Sequence, residues 1–96
     1  MSDTPALENF LSAYFHQDWS MEHDTATGVV EAYLGSEADA EIVAVRDDLA
    51  RLAGEGLDEA ALGARMRSLG SEYDPTRDGG SWQAWLATLQ AAFTRR

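Results

Sequence analysis

Apolar side chains recur every three or four residues from one end of this chain to the other. That spacing places them on one face of an α-helix, whereas a half-buried strand would alternate apolar and polar residues. No run alternates over enough positions to predict a strand, and residues of high helix propensity dominate each segment. The pattern therefore predicts an all-α protein, a compact single-domain bundle of about five short amphipathic helices over residues 1–96.

Five apolar stripes define the expected helices. Their members are Leu7, Phe10, Leu11, Tyr14 and Phe15; Ala26, Val29, Val30, Tyr33 and Leu34; Ile42, Val45, Leu49 and Leu52; Leu62, Met66 and Leu69; and Trp82, Trp85, Leu86, Leu89 and Phe93. The expected N-caps, whose side chains can accept a hydrogen bond from a backbone N–H, are Thr4, Thr25, Asp58 and Ser81. Ser36 followed by Asp39 resembles a capping box for the third helix. Trp19 continues the first stripe, so the first helix can extend through it.

The charge of the chain is strongly negative and unevenly distributed. There are 17 acidic and 7 basic residues, a net charge of -10, and every basic residue is an arginine. Arg46 is the only basic residue before residue 51, whereas acids and arginines balance in residues 51–96. A negative field repels phosphate, which argues against nucleic-acid or anionic-membrane partners and favours a basic protein partner. An acidic surface that serves only solubility is the alternative.

Several classes of protein are disfavoured by what the sequence lacks. There is no cysteine, so disulfides and thiolate metal sites are excluded. The first residues do not show the basic segment and long apolar run of a signal peptide. No apolar stretch approaches the ~20 residues that a membrane span needs. We therefore expect a soluble, cytoplasmic protein.

The stretch "YFHQDW" at residues 14–19 raises the possibility of an active site. The side chains able to bind a metal or transfer protons there and just after are His16, Asp18, His23 and Asp24. On a helix, however, His16 and Asp18 would lie about 200° apart, and there is no HExxH pattern. We interpret the stretch as mainly structural, with Phe15 and Trp19 buried, and expect no catalytic residue, metal or cofactor. A small metal-dependent hydrolase using those four residues is the enzyme alternative.

The stretch that begins at Asp74 has some features of a calcium loop. Asp74, Thr76 and Asp78 occupy its first, third and fifth ligand positions, but the twelfth, which should be a bidentate glutamate, is Trp85. A tight turn is the preferred interpretation. Trp82 and Trp85 are expected in the core, with an exposed interface anchor as the alternative for one of them.

These segments together resemble a known family. The chain resembles small immunity proteins of contact-dependent growth inhibition systems, the CdiI type. The resemblance is carried by the stretch "LENFLSAYFHQDWSMEHDT", a short helix, the acidic third predicted helix, "LGSEYDP" and "SWQAWL". The similarity extends from Leu7 to about Leu89, and "YFHQDW" is its most specific part. Members are encoded beside polymorphic toxins and neutralise the toxin domain by binding it, without catalysis. The resemblance implies that role here, with a cognate toxin domain as partner.

The acidic half is the expected partner-binding surface. The candidate residues are Asp24, Glu31, Glu37, Asp39, Glu41, Asp47 and Asp48. The apolar stripe of the third helix leaves Glu41, Asp47 and Asp48 free for a partner. Many toxins of this kind are nucleases with basic clefts, and carboxylates can replace phosphates at the arginines and lysines of such clefts. A generic acidic helical adaptor is the remaining alternative.

Overall fold

Helices account for all the regular secondary structure of the described residues. The computed structural model describes residues 3–95, and for Glu22 and Asp78 the backbone alone. The elements are α1 (Pro5–Tyr14), α2 (Trp19–Glu22), α3 (Ala26–Ser36), α4 (Asp39–Gly54), α5 (Glu59–Ser68), a 3₁₀ helix (Pro75–Asp78) and α6 (Trp82–Thr94). The all-α prediction is confirmed within this range, with the five longer helices where the stripes placed them. Residues 1, 2 and 96 of the predicted domain lie outside the described range.

One hydrophobic cluster receives the apolar stripes of all five longer helices. The helix α4 packs against both α1 and α6, and α6 also packs against α3 and α5. The α4 residues Val45 and Leu49 are fully buried in this cluster. The opposite side of α4 is therefore directed away from the core.

Two phenylalanines near the end of α1 connect the aromatic rings of the core. The rings of Phe10 and Phe15 lie 5.7 Å apart and nearly perpendicular, at 87°. Phe10 also lies 4.5 Å from the ring of Tyr33 on α3 and 5.5 Å from that of Phe93 on α6. Phe15 contacts Trp85, edge to face at 5.8 Å. Such pairs contribute about 0.5–1.5 kcal/mol each beyond the burial of their area.

The stretch "YFHQDW" forms a helix end and a turn. The helix α1 ends at Tyr14, so the expected extension through Trp19 is wrong, and Trp19 instead begins the short helix α2. The carbonyl of Phe15 accepts a hydrogen bond from the backbone N–H of Glu72 at 2.9 Å, which ties this turn to the segment after α5. Phe15 is fully buried as expected. Trp19 is only half-buried, with its ring 5.2 Å from that of Tyr73.

Three of the predicted caps make the expected side-chain hydrogen bond, and the predicted capping box at Ser36 is wrong. The confirmed caps are Thr25, which accepts from Gly28 N–H at 2.9 Å, Asp58, which accepts from Ala61 N–H at 2.8 Å, and Ser81, which accepts from Ala84 N–H at 3.0 Å. The capping box is not formed, because α3 extends through Ser36 and α4 begins after Ala38. The hydroxyl of Ser36 instead donates to the carbonyl of Ala32 at 2.7 Å, within α3.

The segment after α5 is a turn whose aspartate bonds its own backbone. The carboxylate of Asp74 accepts a hydrogen bond from the N–H of Thr76 at 2.9 Å and opens the 3₁₀ helix, as the turn interpretation predicts. The side chain of Asp78, a ligand position of the calcium pattern, lies outside the described residues. Trp85 and Trp82 are only 7% and 3% exposed, so the exposed-anchor alternative for these tryptophans is wrong.

A close contact between α5 and α6 gives a test of this packing. A Cβ atom at Gly63 would lie 2.6 Å from Nε1 of the buried Trp82 ring. We expect Gly63→Ala to lower the free energy of unfolding by about 1–3 kcal/mol, because the indole or α5 must shift. Urea denaturation followed by tryptophan fluorescence measures this change.

Gly35→Ala is the matched control, because Gly35 also lies in a helix and a Cβ there meets nothing within 4 Å. This variant should be neutral or more stable by up to about 1 kcal/mol, since alanine is the better helix former. Equal destabilisation of the two variants would contradict the packing of α5 on Trp82.

Candidate interaction surface

The predicted partner-binding carboxylates lie before α3, along α3, and on α4 and its N-terminal approach. The exposed ones are Asp24, Glu31, Asp39, Glu41 and Asp47, and the half-buried ones are Glu37 and Asp48. Glu31 lies on the side of α3 opposite its buried stripe, because it is offset from Val30 by one residue and from Tyr33 by two. The structure therefore divides the seven candidates by exposure, and their hydrogen bonds divide them further.

Asp48 is used by the fold. Its Oδ2 atom accepts hydrogen bonds from the backbone N–H groups of Ala6 and Leu7, at 2.8 and 3.0 Å, in the first turn of α1. A carboxylate at a helix N-terminus satisfies orphan N–H groups and interacts favourably with the helix dipole. Thr4, the predicted cap of α1, makes no side-chain cap hydrogen bond. The expectation that Asp48 is free for a partner is therefore wrong.

Glu37 and Glu41 lie near two tyrosines where α1, α3 and α4 approach one another. The hydroxyl of Tyr14 donates to Oε2 of Glu37 at 3.5 Å, and the rings of Tyr14 and Tyr33 contact edge to face at 5.0 Å. Burial raises the pKa of Tyr33 to about 12, and the negative charges of Glu37 and then Glu41 act in the same direction. The structure thus brings these two carboxylates close enough to act on one buried phenol.

The negative charges of the remaining candidates are little neutralised by positive charges within the described chain. The carboxylate of Asp47 lies 3.5 Å from Nη2 of Arg46, and both side chains are well exposed. An exposed pair of this kind contributes only about 0–1 kcal/mol to stability. Asp24, Glu31 and Asp39 make no side-chain hydrogen bond or ion pair with another described residue. The negative charges of these three carboxylates are therefore not neutralised by a direct contact with another described residue.

Two acids after residue 50, Glu55 and Glu59, form hydrogen bonds within the fold. The carboxylate of Glu59 accepts from the backbone N–H groups of Trp82 and Gln83, at 2.6 and 3.1 Å, and so caps α6. Glu55 receives two hydrogen bonds from the Arg65 guanidinium, at 2.8 and 3.0 Å. These bonds, together with the positive charge of Arg65, hold the pKa of Glu55 below its ordinary value. Sequence reasoning missed the role of Glu59, because the bonds connect residues more than 20 positions apart.

The residues of the enzyme alternative do not assemble into a ligand set. Among the side chains that the structure describes, no group of three or more His, Asp or Glu residues is placed to hold a metal ion. Nδ1 of His16 accepts a hydrogen bond from the backbone N–H of Asp18 at 3.1 Å, which helps to form the turn before α2.

Within the described range, no helix is both long enough and apolar enough to cross a bilayer.

Comparison with known proteins assigns this arrangement to a family. The sequence profile of the CdiI immunity protein family matches residues 3–93. The chain belongs to the CdiI immunity protein family. Its role is accordingly that of a toxin-neutralising immunity protein, and the resemblance inferred from "YFHQDW" and the later segments is confirmed.

The CdiI fold is also found in a solved structure. The chain is similar to a chain in the crystal structure of a CdiA-CT/CdiI complex from Y. kristensenii 33638, with a TM-score of 0.88 and 22% sequence identity. The similarity covers 96% of this chain and 99% of that chain, so the whole helical arrangement is shared. No curated protein was found to match the sequence.

The cap of α1 generates a prediction that separates two adjacent acids of this CdiI protein. Asp48→Ala should lower the free energy of unfolding by about 1–2 kcal/mol, because two N–H groups lose their acceptor. Asp47→Ala should stay within about 0.5 kcal/mol of the original protein, since Asp47 is exposed. Both substitutions have the same effect on helix propensity, so the difference between them in chemical denaturation isolates the cap. Equal free energies of unfolding for the two variants would contradict the role of Asp48 as the cap of α1.

The environment of Tyr33 generates a prediction in alkaline solution. The folded state raises its pKa from 10.0 to about 12, so it favours the protonated phenol. This contribution to stability is present in full below pH 10 and is lost as the pH rises from 10 through about 12. The free energy of unfolding should therefore fall more steeply over that interval in the original protein than in Tyr33→Phe. Parallel curves for the two proteins would show that burial does not protect this phenol.

Proposed function

We propose that this CdiI protein binds the C-terminal toxin domain of its cognate contact-dependent growth inhibition system and blocks it by contact, without catalysis. In this proposal residues 1–96 act as one immunity domain in the cytoplasm. The CdiA-CT/CdiI complex to which the fold is similar supports a toxin domain as the partner. The observation that carries the proposal is the weakly compensated negative charge just before α3 and along α3 and α4.

This charge is a property of one part of the molecule. Before residue 51, the only arginine is Arg46, and it approaches only Asp47 among the described carboxylates. Asp24, Glu31 and Asp39 are exposed and make no hydrogen bond or ion pair within the described chain. A surface with so little internal neutralisation attracts a basic partner and accelerates its association.

A nuclease is the toxin class that such a surface suits best. The cleft of a nuclease must be basic, because it holds a phosphate backbone. Carboxylates of the immunity protein can replace those phosphates at arginine and lysine side chains through charge-assisted hydrogen bonds. Those at the rim of the contact would mainly raise the association rate, whereas those desolvated against toxin arginines could each cost about 2–5 kcal/mol on truncation.

The two alternatives are less well supported. For the hydrolase, the Nδ1 atom of His16 is occupied by a local hydrogen bond, and the described side chains contain no cluster able to hold a metal. The generic adaptor shares the acidic surface but requires no toxin. Genomic position discriminates here, because an immunity gene lies directly downstream of its toxin gene.

Removal of two charges from α4 tests the proposal. Glu41→Gln/Asp47→Asn leaves the Asp48 cap intact, so the fold is preserved while the surface loses two carboxylates. Association with the purified toxin domain encoded directly upstream should slow by about three- to tenfold at low salt. The difference should shrink from about 0.01 M to about 1 M salt, where the Debye length falls from about 30 to about 3 Å. Surface plasmon resonance at both salt concentrations measures this.

Asp3→Asn/Glu72→Gln is the matched control, because it removes the same charge from two exposed carboxylates outside the predicted set. Its association rate should fall less. If the association rates of both double variants fall by the same factor, the net charge of the protein attracts the toxin without a defined surface. If neither changes affinity or its salt dependence, the acids of α4 are excluded from the contact.

A further inference from the structure

Val43 is an exposed apolar residue on α4. The side chain is 40% exposed, although its neighbour Ile42 is 3% exposed in the core. Among the described residues, the other large apolar side chain that is exposed is Met21, on α2, at 85%. Valine is β-branched and forms helices less readily than alanine, which occupies the nearby position Ala40. Helix propensity therefore does not account for valine at this position, and its side chain is only partly covered by the protein.

Carboxylates bracket Val43 along the helix. Asp39 lies four residues before it and Asp47 four residues after it, which places each about 6 Å along the helix axis on the same side of α4. Ala40 is small, so Val43 projects beyond it. Val43 also lines an open hollow of about 520 Å³ together with Asp39, Ile42 and Arg95. The exposed side of α4 therefore presents one apolar side chain between two carboxylates, with Arg46 beside Asp47 and Arg95 on the hollow that Asp39 and Val43 line.

We infer that Val43 is the apolar anchor of the toxin-binding surface, covered by a basic surface of the toxin domain with an apolar recess between its cationic side chains. The inference rests on the proposed function. Charge complementarity selects this occupant: cations on the partner pair with Asp39 and Asp47, and the space between those pairs lies over Val43. A second copy of this chain carries the same net charge of -10 and would be repelled.

The two kinds of side chain then affect different rate constants. Carboxylates act over distance and set the association rate, which depends on salt. A buried apolar contact forms only in the docked complex, so its loss appears in the dissociation rate. Charged pairs around it exclude water from the contact, as the periphery of an interface does around its central residues. The anchor is therefore distinguishable from the acids by kinetics.

Val43→Ala tests the anchor with the purified toxin domain encoded directly upstream as the probe. The dissociation rate should rise about five- to tenfold, because two carbon atoms of buried apolar surface are lost. Its association rate should stay within about twofold of the original, and the effect should persist at high salt. The variant should fold normally, since alanine is the better helix former, and a thermal melt followed by circular dichroism verifies this.

Met21→Ala is the matched control, because Met21 is the more exposed apolar side chain but lies on α2. Its rate constants should equal those of the original protein. An original protein that does not bind the toxin domain overturns the proposed function itself. If the original protein binds while Val43→Ala dissociates no faster, or no faster than Met21→Ala, only the anchor is overturned. Light scattering that shows self-association abolished by Val43→Ala would instead make a second copy the occupant.

Discussion

The aromatic contacts of Phe10 and Phe15 join the parts of this structure that lie farthest apart in the chain. Through these two rings, α1 touches Tyr33 on α3 and Phe93 and Trp85 on α6, so a single short helix connects elements far apart in the chain. The end of α1 must be placed accurately for these contacts to form. The hydrogen bond from Glu72 N–H to the carbonyl of Phe15 holds that end.

The other end of α1 depends on Asp48 in the same way. Asp48 binds the first turn of α1 from α4, and Glu59 binds the first turn of α6 from α5. Each carboxylate fixes one helix relative to another, which a cap from the adjacent residue could not do. Among the acids whose side chains are described, Asp48 and Glu59 therefore join helices, whereas a second group, which includes Asp24 and Glu31, faces solvent. The carboxylates of the second group, such as Asp24 and Glu31, make no hydrogen bond or ion pair with another described residue.

The sequence was sufficient for the parts of the fold that depend on local spacing. The five stripes and the caps at Thr25, Asp58 and Ser81 involve residues within one or two turns of each other, and all are present. The four-residue helix α2 is too short to show periodicity. The hydrogen bond from the N–H of Ala6 to Asp48 joins residues 42 positions apart, so no local sequence pattern predicts it. For the candidate surface, charge predicted the acidic half but could not separate Asp48 from its neighbour Asp47.

That separation has an evolutionary consequence. An immunity protein must keep its fold while its surface changes to follow a toxin that varies. On α4, the residues that hold the bundle together, such as Leu49 and Asp48, alternate with outward residues such as Val43 and Asp47. Substitutions at the outward positions alter what the helix presents without disturbing the packing one residue away. One helix thus combines a side whose residues are fixed by packing with a side on which substitutions leave that packing unchanged.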